Sequence, residues 1–444
     1  MAEQMEDLSE RYCFNPVLRW NSQVEEYFTK AYGAEHFALI SKALTRPSCY
    51  SCIRVNTLKS TTDTVIKKLS TIVTEMGKSN SENTTLKGGD GDVNGIELTQ
   101  SGSQKASVKI NDEKNPITEN FEHPSISRCQ VPGLDYVVFV RGSGPHTIDY
   151  GYANGRPPKE VIVSRKCAEA VLRGAQVYVP GVMACSAHVE KGDVVAISVA
   201  VEQPGLDGGW SLGITRGTVV QGLPTDPYHP ERSGLYIGQG TTAMSRAGIF
   251  RVCEGVAVDM HNRVFKLPSF YDHELRVRKI FLQNLPSIVT AHALGRNNAI
   301  AILMKDGSTA QFCIGGLIPV LTELETLASL KHHAKYQRRM FDQAVQLVRP
   351  GGVIVYSTCT INPGENEALV RYALDTYKFL TLAPQHPRIG GPGLVGRFEF
   401  ADHSVEEWLR PGEEHLVQRF DPSSPLDTIG FFIAKFSVGS KDSE

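Results

Sequence analysis

The chain has 444 residues, of which 41% are hydrophobic and 21% are charged, and its formal net charge at pH 7 is −2. These values are ordinary for globular domains, so they exclude a chain that is disordered throughout, and the small net charge excludes a uniformly basic nucleic-acid-binding protein. The length allows two or three domains, and any contact with nucleic-acid phosphates would have to come from a local group of Lys and Arg side chains.

No apolar stretch approaches the length of a membrane span, and residues 1–10 are acidic and polar, unlike a signal peptide. The nine cysteines are an odd number without a regular framework, which is typical of a reducing compartment. We therefore expect a protein of the cytoplasm, with the nucleus as a second candidate compartment and without a membrane partner. We also expect a monomer.

An α+β domain is predicted for residues 1–158. Within it, residues 75–127 are rich in Ser, Asn, Gly, Thr and Lys, which bury too little apolar surface to fold, so they are predicted to be a disordered insertion. The regular elements around this insertion are predicted helices at 22–44 and 62–73 and predicted strands at 53–57 and 134–140.

Two short spacings resemble halves of metal sites. Cys49-x-x-Cys52 and Cys185-x-x-His188 each offer two ligands, whereas a structural zinc ion needs four. No second pair completes either set, so the sequence predicts no metal site.

Residues 159–257 are predicted to form a small β-barrel, because short strands alternate with glycine turns. A short helix at 167–174 precedes a predicted strand at 177–181, and a turn leads into a buried strand at 191–197. Basic side chains at the start of this region are candidates for contacts with RNA phosphates, although a solvated helix face explains each of them equally well. They are Lys159, Arg165, Lys166 and Arg173.

Residues 258–436 have an α/β pattern, and its clearest part is a buried strand at 353–356 that follows two glycines and precedes a helix opened by Pro363. Cys359 lies where this strand ends. Ligands of open α/β sheets bind beyond the carboxyl ends of the strands, so Cys359 is placed to meet a substrate. A single cysteine at such a position is more often a small buried apolar residue, and the placement alone does not assign a function.

A predicted helix at 331–349 precedes that strand and carries basic side chains at spacings that bring them together. A basic face beside a substrate crevice would hold RNA backbone, and a solvated face is the ordinary alternative. The RNA-binding candidates on this helix are Lys335, Arg338 and Arg339. Two more strands are predicted at 379–382 and 429–436, and residues 437–444 form a polar tail.

The motif Ser-Thr-Cys-Thr-x-Asn-Pro-x-Glu-Asn-Glu at 357–367 resembles the catalytic-cysteine motif of the Nop/Sun family of RNA cytosine methyltransferases. The resemblance implies that Cys359 is the nucleophile. In that chemistry a thiolate adds to carbon 6 of cytosine, which makes carbon 5 reactive enough to take a methyl group from S-adenosylmethionine. The target base must leave its stack to reach the thiol.

The barrel region adds a second resemblance. Val-Leu-Arg-Gly-Ala-x-Val-Tyr-x-Pro-Gly at 171–181 and Gly-Asp-Val at 192–194 are similar to a PUA domain, an RNA-binding barrel. Within the Nop/Sun family, an internal PUA domain marks the subgroup that acts on transfer RNA. The resemblance therefore implies transfer RNA as the partner.

The donor-binding part of the family pattern is missing. The glycine turn Asp-x-Cys-Ala-Ala-Pro-Gly-Gly-Lys-Thr and the second cysteine motif Asp-Ala-Pro-Cys-Ser do not occur in the sequence. Residues 295–298 run directly into 299–304, which resembles the helix after that turn, and 295–330 are about as long as one βαβ unit of roughly 30 residues. The glycine-containing stretches 311–320 and 391–396 do not have the context of a nucleotide-binding turn.

We therefore predict an incomplete α/β Rossmann-like methyltransferase core at 258–436, an inserted β-barrel PUA domain at 159–257 and an α+β N-terminal domain. The predicted activity is that of an S-adenosylmethionine-dependent transfer-RNA cytosine-5 methyltransferase whose catalysis is impaired. Two alternatives remain open: a non-catalytic RNA-binding protein that acts through the PUA domain, and a shortened form of such an enzyme.

Overall fold

The structure is a computed structural model, and it describes the following parts of the chain. They are residues 11–82, 126–151, 157–200, 203–204, 210–211, 214–220, 232–266, 279–294, 300–301 and 326–441. No helix within these ranges is both long and apolar enough to cross a membrane. The stretch 311–320 and the centre of the predicted insertion lie outside the described residues.

The N-terminal region combines three helices with a small antiparallel sheet. Its elements are α1 (Ser22–Tyr32), α2 (Ala34–Leu44), β1 (Tyr50–Val55), α3 (Thr62–Glu82), β2 (Ile126–Arg128) and β3 (Val137–Arg141). Asn21 caps α1 by accepting a hydrogen bond from Gln23 N, and Gly33, with φ of +82°, allows the sharp turn into α2. The helix predicted to end at 73 continues to Glu82, so the described elements overlap both ends of the predicted insertion.

The barrel follows. Its elements are β4 (Glu160–Ser164), α4 (Arg165–Leu172), β5 (Val177–Tyr178), β6 (Val182–Ser186), β7 (Val194–Ala200), β8 (Gln203–Pro204), β9 (Trp210–Ser211), β10 (Thr218–Val220), β11 (Tyr236–Thr242), α5 (Arg246–Arg251) and β12 (Val256–Arg263). Seven strands form one sheet in the order β10-β6-β4-β7-β11-β12-β5 around a valine-rich core. The strand predicted at 177–181 was too long: Val179–Gly181 form a 3₁₀ turn, because Pro180 has no N–H to donate to a strand partner.

The remaining elements build a mixed α/β core. They are β13 (Ile280–Leu282), α6 (Leu285–Leu294), β14 (Ile300–Ala301), α7 (Leu327–Leu347), β15 (Val353–Thr358), α8 (Glu367–Thr376), β16 (Leu380–Leu382), β17 (Arg397–Glu399), β18 (Val405–Glu407), β19 (Val417–Phe420) and β20 (Phe431–Val438). The main sheet has the order β14-β15-β20-β16, with β19 also paired to β20. Only β14 and β15 are parallel within it, and the other pairs are antiparallel.

One helix prediction in this region was wrong, and a further strand was not predicted. Residues 280–282 form strand β13, which joins the N-terminal sheet beside β1, and α6 starts at Leu285, where Pro286 is tolerated in the first turn. Ile300–Ala301 form a strand rather than a helix, since they pair in parallel with Ile354 and Val355. The alternation of Ala and Ile at 299–302 has the period of two that strands require.

The N-terminal sheet and the core share one apolar cluster. Leu134 and Phe139 pack with Leu285 and Val289 of α6 and with Ile433 of β20, all of them buried. The N-terminal helices pack on the core as well, through α1 and the segment that follows β15. The N-terminal region therefore packs directly against the core and shares its apolar clusters.

Candidate active site

Cys359 directly follows β15, where the sequence predicts the end of a buried strand. The cysteine is half-buried, and its thiol lies between two apolar clusters, one built on α1 and the other shared by α6 and the main sheet. The position at the carboxyl end of β15 is the predicted one. It places a sulfur atom at the border between the N-terminal region and the core.

The loop after Cys359 is held by its own polar side chains. Asn362 Oδ1 accepts from Gly364 N at 3.0 Å, its Nδ2 donates to Glu365 Oε1 at 3.1 Å, and its backbone N donates to Thr360 Oγ1 at 3.0 Å. Asn362 and Glu365 are each only 1% exposed. The polar residues of the motif therefore serve as internal partners that fix the loop, since buried polar groups require hydrogen bonds.

An ion pair lies beneath this loop. Arg419 of β19 donates two hydrogen bonds to Glu367, from Nε to Oε1 at 2.8 Å and from Nη2 to Oε2. The Arg419 and Glu367 side chains are 7% and 0% exposed. Arg419 Nη1 also donates to the Ile361 carbonyl at 3.2 Å. Burial by itself lowers the pKa of Arg419, but Glu367, Tyr32 and Asp421 together outweigh burial and raise the pKa above its ordinary value. The pair is therefore charged, and it anchors the residue two positions after Cys359.

Helix α1 supplies two tyrosines to the same loop. The Tyr32 hydroxyl donates to the Ile361 carbonyl, and the Tyr27 hydroxyl donates to Glu406 Oε1 at 2.6 Å while lying 3.3 Å from Asn362 Oδ1. Burial raises the pKa of both hydroxyls, so they remain protonated donors. The sequence predicts a helix over these two positions, at 22–44, and it does not predict these contacts. The available signal was that a buried tyrosine hydroxyl needs a polar partner.

A small cleft opens between the N-terminal sheet, α6 and the segment before β20. Asp427 closes one side: its Oδ2 accepts from Cys49 N at 2.5 Å, and its carbonyl accepts from Ser48 Oγ at 2.8 Å. Burial raises the pKa of the Asp427 carboxyl, and this residue has the left-handed φ of +48°. These contacts join the N-terminal region to the core beside the apolar cluster that contains Cys359.

The four basic candidates of the barrel differ in their surroundings. Lys159 is paired with Asp193 at 2.5 Å, and Arg165 is half-buried. Lys166 is exposed on α4, and the exposed Arg173 directly follows that helix, 3.9 Å from Glu169. Lys166 and Arg173 are thus the side chains in this group with the greatest freedom to meet a phosphate.

The three RNA-binding candidates on α7 differ in their exposure to solvent. Lys335 and Arg339 are exposed one helical turn apart. Arg338 is half-buried, and its guanidinium lies 5.2 Å from the centre of the Tyr372 ring. Arg338 therefore packs against α8, whereas Lys335 and Arg339 face solvent.

Among the residues that the structure describes, no group of three or more His, Cys, Asp and Glu side chains is arranged to hold a metal ion. Cys49, Cys52 and Cys185 are free thiols. Burial raises the pKa of each of these thiols, which disfavours the thiolate that a metal needs.

The glycine-rich stretch 391–396 does not fit S-adenosylmethionine. Within 300–301 and 326–441, the glycine-rich stretch 391–396 packs against protein: a Cβ at Gly393 would lie 2.6 Å from Leu409 and Val417, and Gly391 exchanges backbone hydrogen bonds with Arg419. This stretch opens no helix. Its glycines serve close packing and leave no cradle for a nucleotide.

Comparison with known proteins agrees with this architecture. A family model described as 16S rRNA methyltransferase RsmB/F matches residues 320–436, and a PUA domain model matches residues 159–200. The solved structure of NSun6 from Pyrococcus horikoshii with SFG has a TM-score of 0.63 at 21% identity, covering 95% of this chain and 99% of that chain. This likeness confirms the predicted fold class.

Curated relatives extend over most of the chain. The rRNA (cytosine-C(5))-methyltransferase NOP2C of Arabidopsis thaliana is 48% identical over 98% of this chain and 93% of its own length. The tRNA (cytosine(72)-C(5))-methyltransferase NSUN6 of Mus musculus is 30% identical over 72% of this chain and 82% of its own length. The alignment with NOP2C spans 593 positions against the 444 residues of this chain, so at least 149 positions have no counterpart here. The chain therefore belongs to the NOP2/NSUN family of S-adenosylmethionine-dependent RNA cytosine-C5 methyltransferases, and it carries a PUA domain.

Proposed function

We propose that this chain binds RNA and adds the Cys359 thiolate to a cytosine, but that it is impaired in methyl transfer. The observation that carries the proposal is the contrast between two parts of the core. The cysteine loop is held by hydrogen bonds from Asn362 and Arg419, whereas the glycine-rich stretch 391–396 forms no donor cradle and the donor turn is missing from the sequence. The shortfall of at least 149 positions relative to NOP2C supports an incomplete donor region.

The proposed step needs no donor. The thiolate forms a sulfur–carbon bond at carbon 6, and the electron pair of the carbon 5–carbon 6 double bond moves towards carbon 5. Carbon 5 then takes a proton from water. Loss of the original carbon 5 proton to water, followed by expulsion of the thiolate, restores cytosine with its carbon 5 hydrogen exchanged, whereas loss of the added proton restores the starting base.

We propose transfer RNA as the substrate class. The support is the PUA domain together with the relatives from Mus musculus and Pyrococcus horikoshii, both named tRNA (cytosine(72)-C(5))-methyltransferases. Ribosomal RNA is the second candidate, favoured by the 48% identity to a relative named for rRNA. Gel shifts with a transfer-RNA transcript and with ribosomal-RNA fragments of equal length compare the two, and we expect tighter binding to the transfer RNA.

We expect calorimetric titration of the full chain with S-adenosylmethionine to give no saturable heat. In parallel, transfer RNA labelled with tritium at carbon 5 of cytosine should release tritium to water in the presence of the chain and without donor. Saturable donor binding together with methylated RNA would overturn the proposed impairment. If neither tritium release nor RNA binding is found, the proposed function fails.

The exposed barrel cations should contribute to RNA affinity through phosphates. We expect the double substitution Lys166→Gln and Arg173→Gln to weaken binding of all RNA sequences similarly and to reduce the slope of log affinity against log salt by about one to two. The measurement is a gel shift at several salt concentrations. Lys159→Gln serves as the control, since Asp193 already pairs with this ammonium, and an equal loss in the control would contradict the assignment.

A further inference from the structure

Asn366 occupies the N-cap position of α8, but its side chain makes no capping hydrogen bond. Asparagine is among the best N-cap residues, because its side-chain oxygen accepts a hydrogen bond from a backbone N–H of the first helical turn. Asn21 uses its side chain in that way at α1, and Ser164 and Ser245 do so at α4 and α5. At α8 the amide group is directed elsewhere, so the sequence places an ideal capping residue where it does not cap.

The Asn366 side chain instead joins the two neighbours of Cys359. Its Oδ1 accepts from Thr358 Oγ1 at 2.5 Å, and its Nδ2 donates to the Thr360 carbonyl at 2.9 Å. Asn366 is fully buried, and Thr358 and Thr360 are 6% and 1% exposed, so water does not compete for these contacts. One planar amide therefore links the residues before and after the cysteine.

This link connects two rigid elements. Thr358 is the last residue of β15 and pairs with Phe432 of β20, while Asn366 adjoins the first turn of α8. The backbone of Cys359 lies between the end of the sheet and the start of the helix, and the amide holds the spacing between them.

We infer that Asn366 is a positioning residue for the Cys359 thiol, and this inference rests on the proposed function of Cys359 as nucleophile. Addition to carbon 6 requires the sulfur to approach the face of the base along a narrow direction. A displacement of about 1 Å in such an arrangement can lower a rate about a hundredfold. The Asn366 side-chain hydrogen bonds that would otherwise cap α8 instead fix the geometry of the loop that bears the thiol.

The test is the rate at which the full chain forms a covalent adduct with a transfer-RNA transcript containing 5-azacytidine in place of cytidine. In this probe the thiolate adds to carbon 6 and nitrogen 5 takes the proton, so a slowly reversed adduct forms without a methyl donor. The main variant is Asn366→Ser, which keeps a favourable N-cap residue and removes both contacts to the neighbours of Cys359. Thr358→Val removes one of the two contacts at nearly constant volume.

We expect Asn366→Ser to lower the adduct rate at least about tenfold and Thr358→Val to lower it less, with little change in RNA affinity. Asn366→Ser also leaves the buried Thr358 hydroxyl and Thr360 carbonyl without this partner, so its melting temperature should fall, and the adduct rate is therefore compared per folded molecule below that temperature. A purely structural role predicts an adduct rate that falls only in proportion to the folded fraction. Asn21→Ser, at a helix where the asparagine does cap, is the matched control and should leave the adduct rate unchanged.

The outcomes separate the two proposals. If the unchanged chain forms no adduct with the probe, the proposed function fails and the positioning role fails with it. If the unchanged chain reacts and Asn366→Ser reacts equally fast, only the positioning role is overturned. Alkylation of Cys359 by iodoacetamide, which needs no bound base, should differ less than threefold between the unchanged chain and Asn366→Ser.

Discussion

Replacement of Cys359 by Ala should abolish the covalent adduct with 5-azacytidine-substituted transfer RNA, a fall on the order of a thousandfold or more. The reason is that the adduct requires a sulfur at the end of β15, and the alanine side chain has no nucleophilic atom. The substitution removes one atom from a half-buried site, so we expect RNA affinity to stay within about twofold. Denaturing gels of the reaction with labelled RNA measure the adduct, and gel shifts measure the affinity.

Cys253 provides the matched control, because it is an exposed free thiol in the barrel and lies far along the chain from the cysteine loop. Cys253→Ala should form the adduct at the rate of the unchanged chain. An adduct that persists in Cys359→Ala, or one that is lost in Cys253→Ala, would show that Cys359 is not the reacting thiol.

Glu367→Gln should destabilise the core by about 3–5 kcal/mol, the usual cost of removing one partner from a buried ion pair. Arg419 would remain 7% exposed and charged, with its main counterion gone, and the loop that follows Cys359 would lose its anchor at Ile361. Urea unfolding followed by tryptophan fluorescence measures the change in the free energy of unfolding. We also expect the adduct rate to fall, because the same ion pair supports the cysteine loop.

Two comparisons test this explanation. The double substitution Glu367→Met and Arg419→Met should cost less than Glu367→Gln alone, since it removes the charge that the single change leaves unpaired. Asp402→Asn breaks the exposed pair with Lys331 at 3.6 Å, and it should change the stability by no more than about 1 kcal/mol. A cost below about 1 kcal/mol for Glu367→Gln would show that the pair does not hold the loop.

The neighbourhood of Cys359 could be predicted in part from local sequence. Four β-favouring residues from Val353 follow a glycine pair, and Pro363 forces the chain out of the strand before α8, so a cysteine at a strand end follows from short-range rules. The short strands of the barrel follow from the same rules. The strand at Ile300–Ala301 was predicted as a helix, because a short apolar run has no local feature that separates the two structures.

The hydrogen-bond partners of the cysteine loop could not be predicted from local sequence. Tyr32 and Arg419 meet at the Ile361 carbonyl although 387 positions separate them along the chain, and no local pattern contains such a contact. Asn366 has the residue type and position of a helix cap, yet its hydrogen bonds are directed to Thr358 and Thr360, which only the packed loop brings within reach.

The order of residues along the chain is therefore enough to predict Cys359 as the nucleophile, the barrel and the missing donor turn, because each is a contiguous stretch of residues. The tertiary structure alone decides which buried charges and hydroxyls support that thiol. A polar side chain loses its hydration on burial and must take whichever partner the fold supplies, and that partner comes from a distant part of the chain.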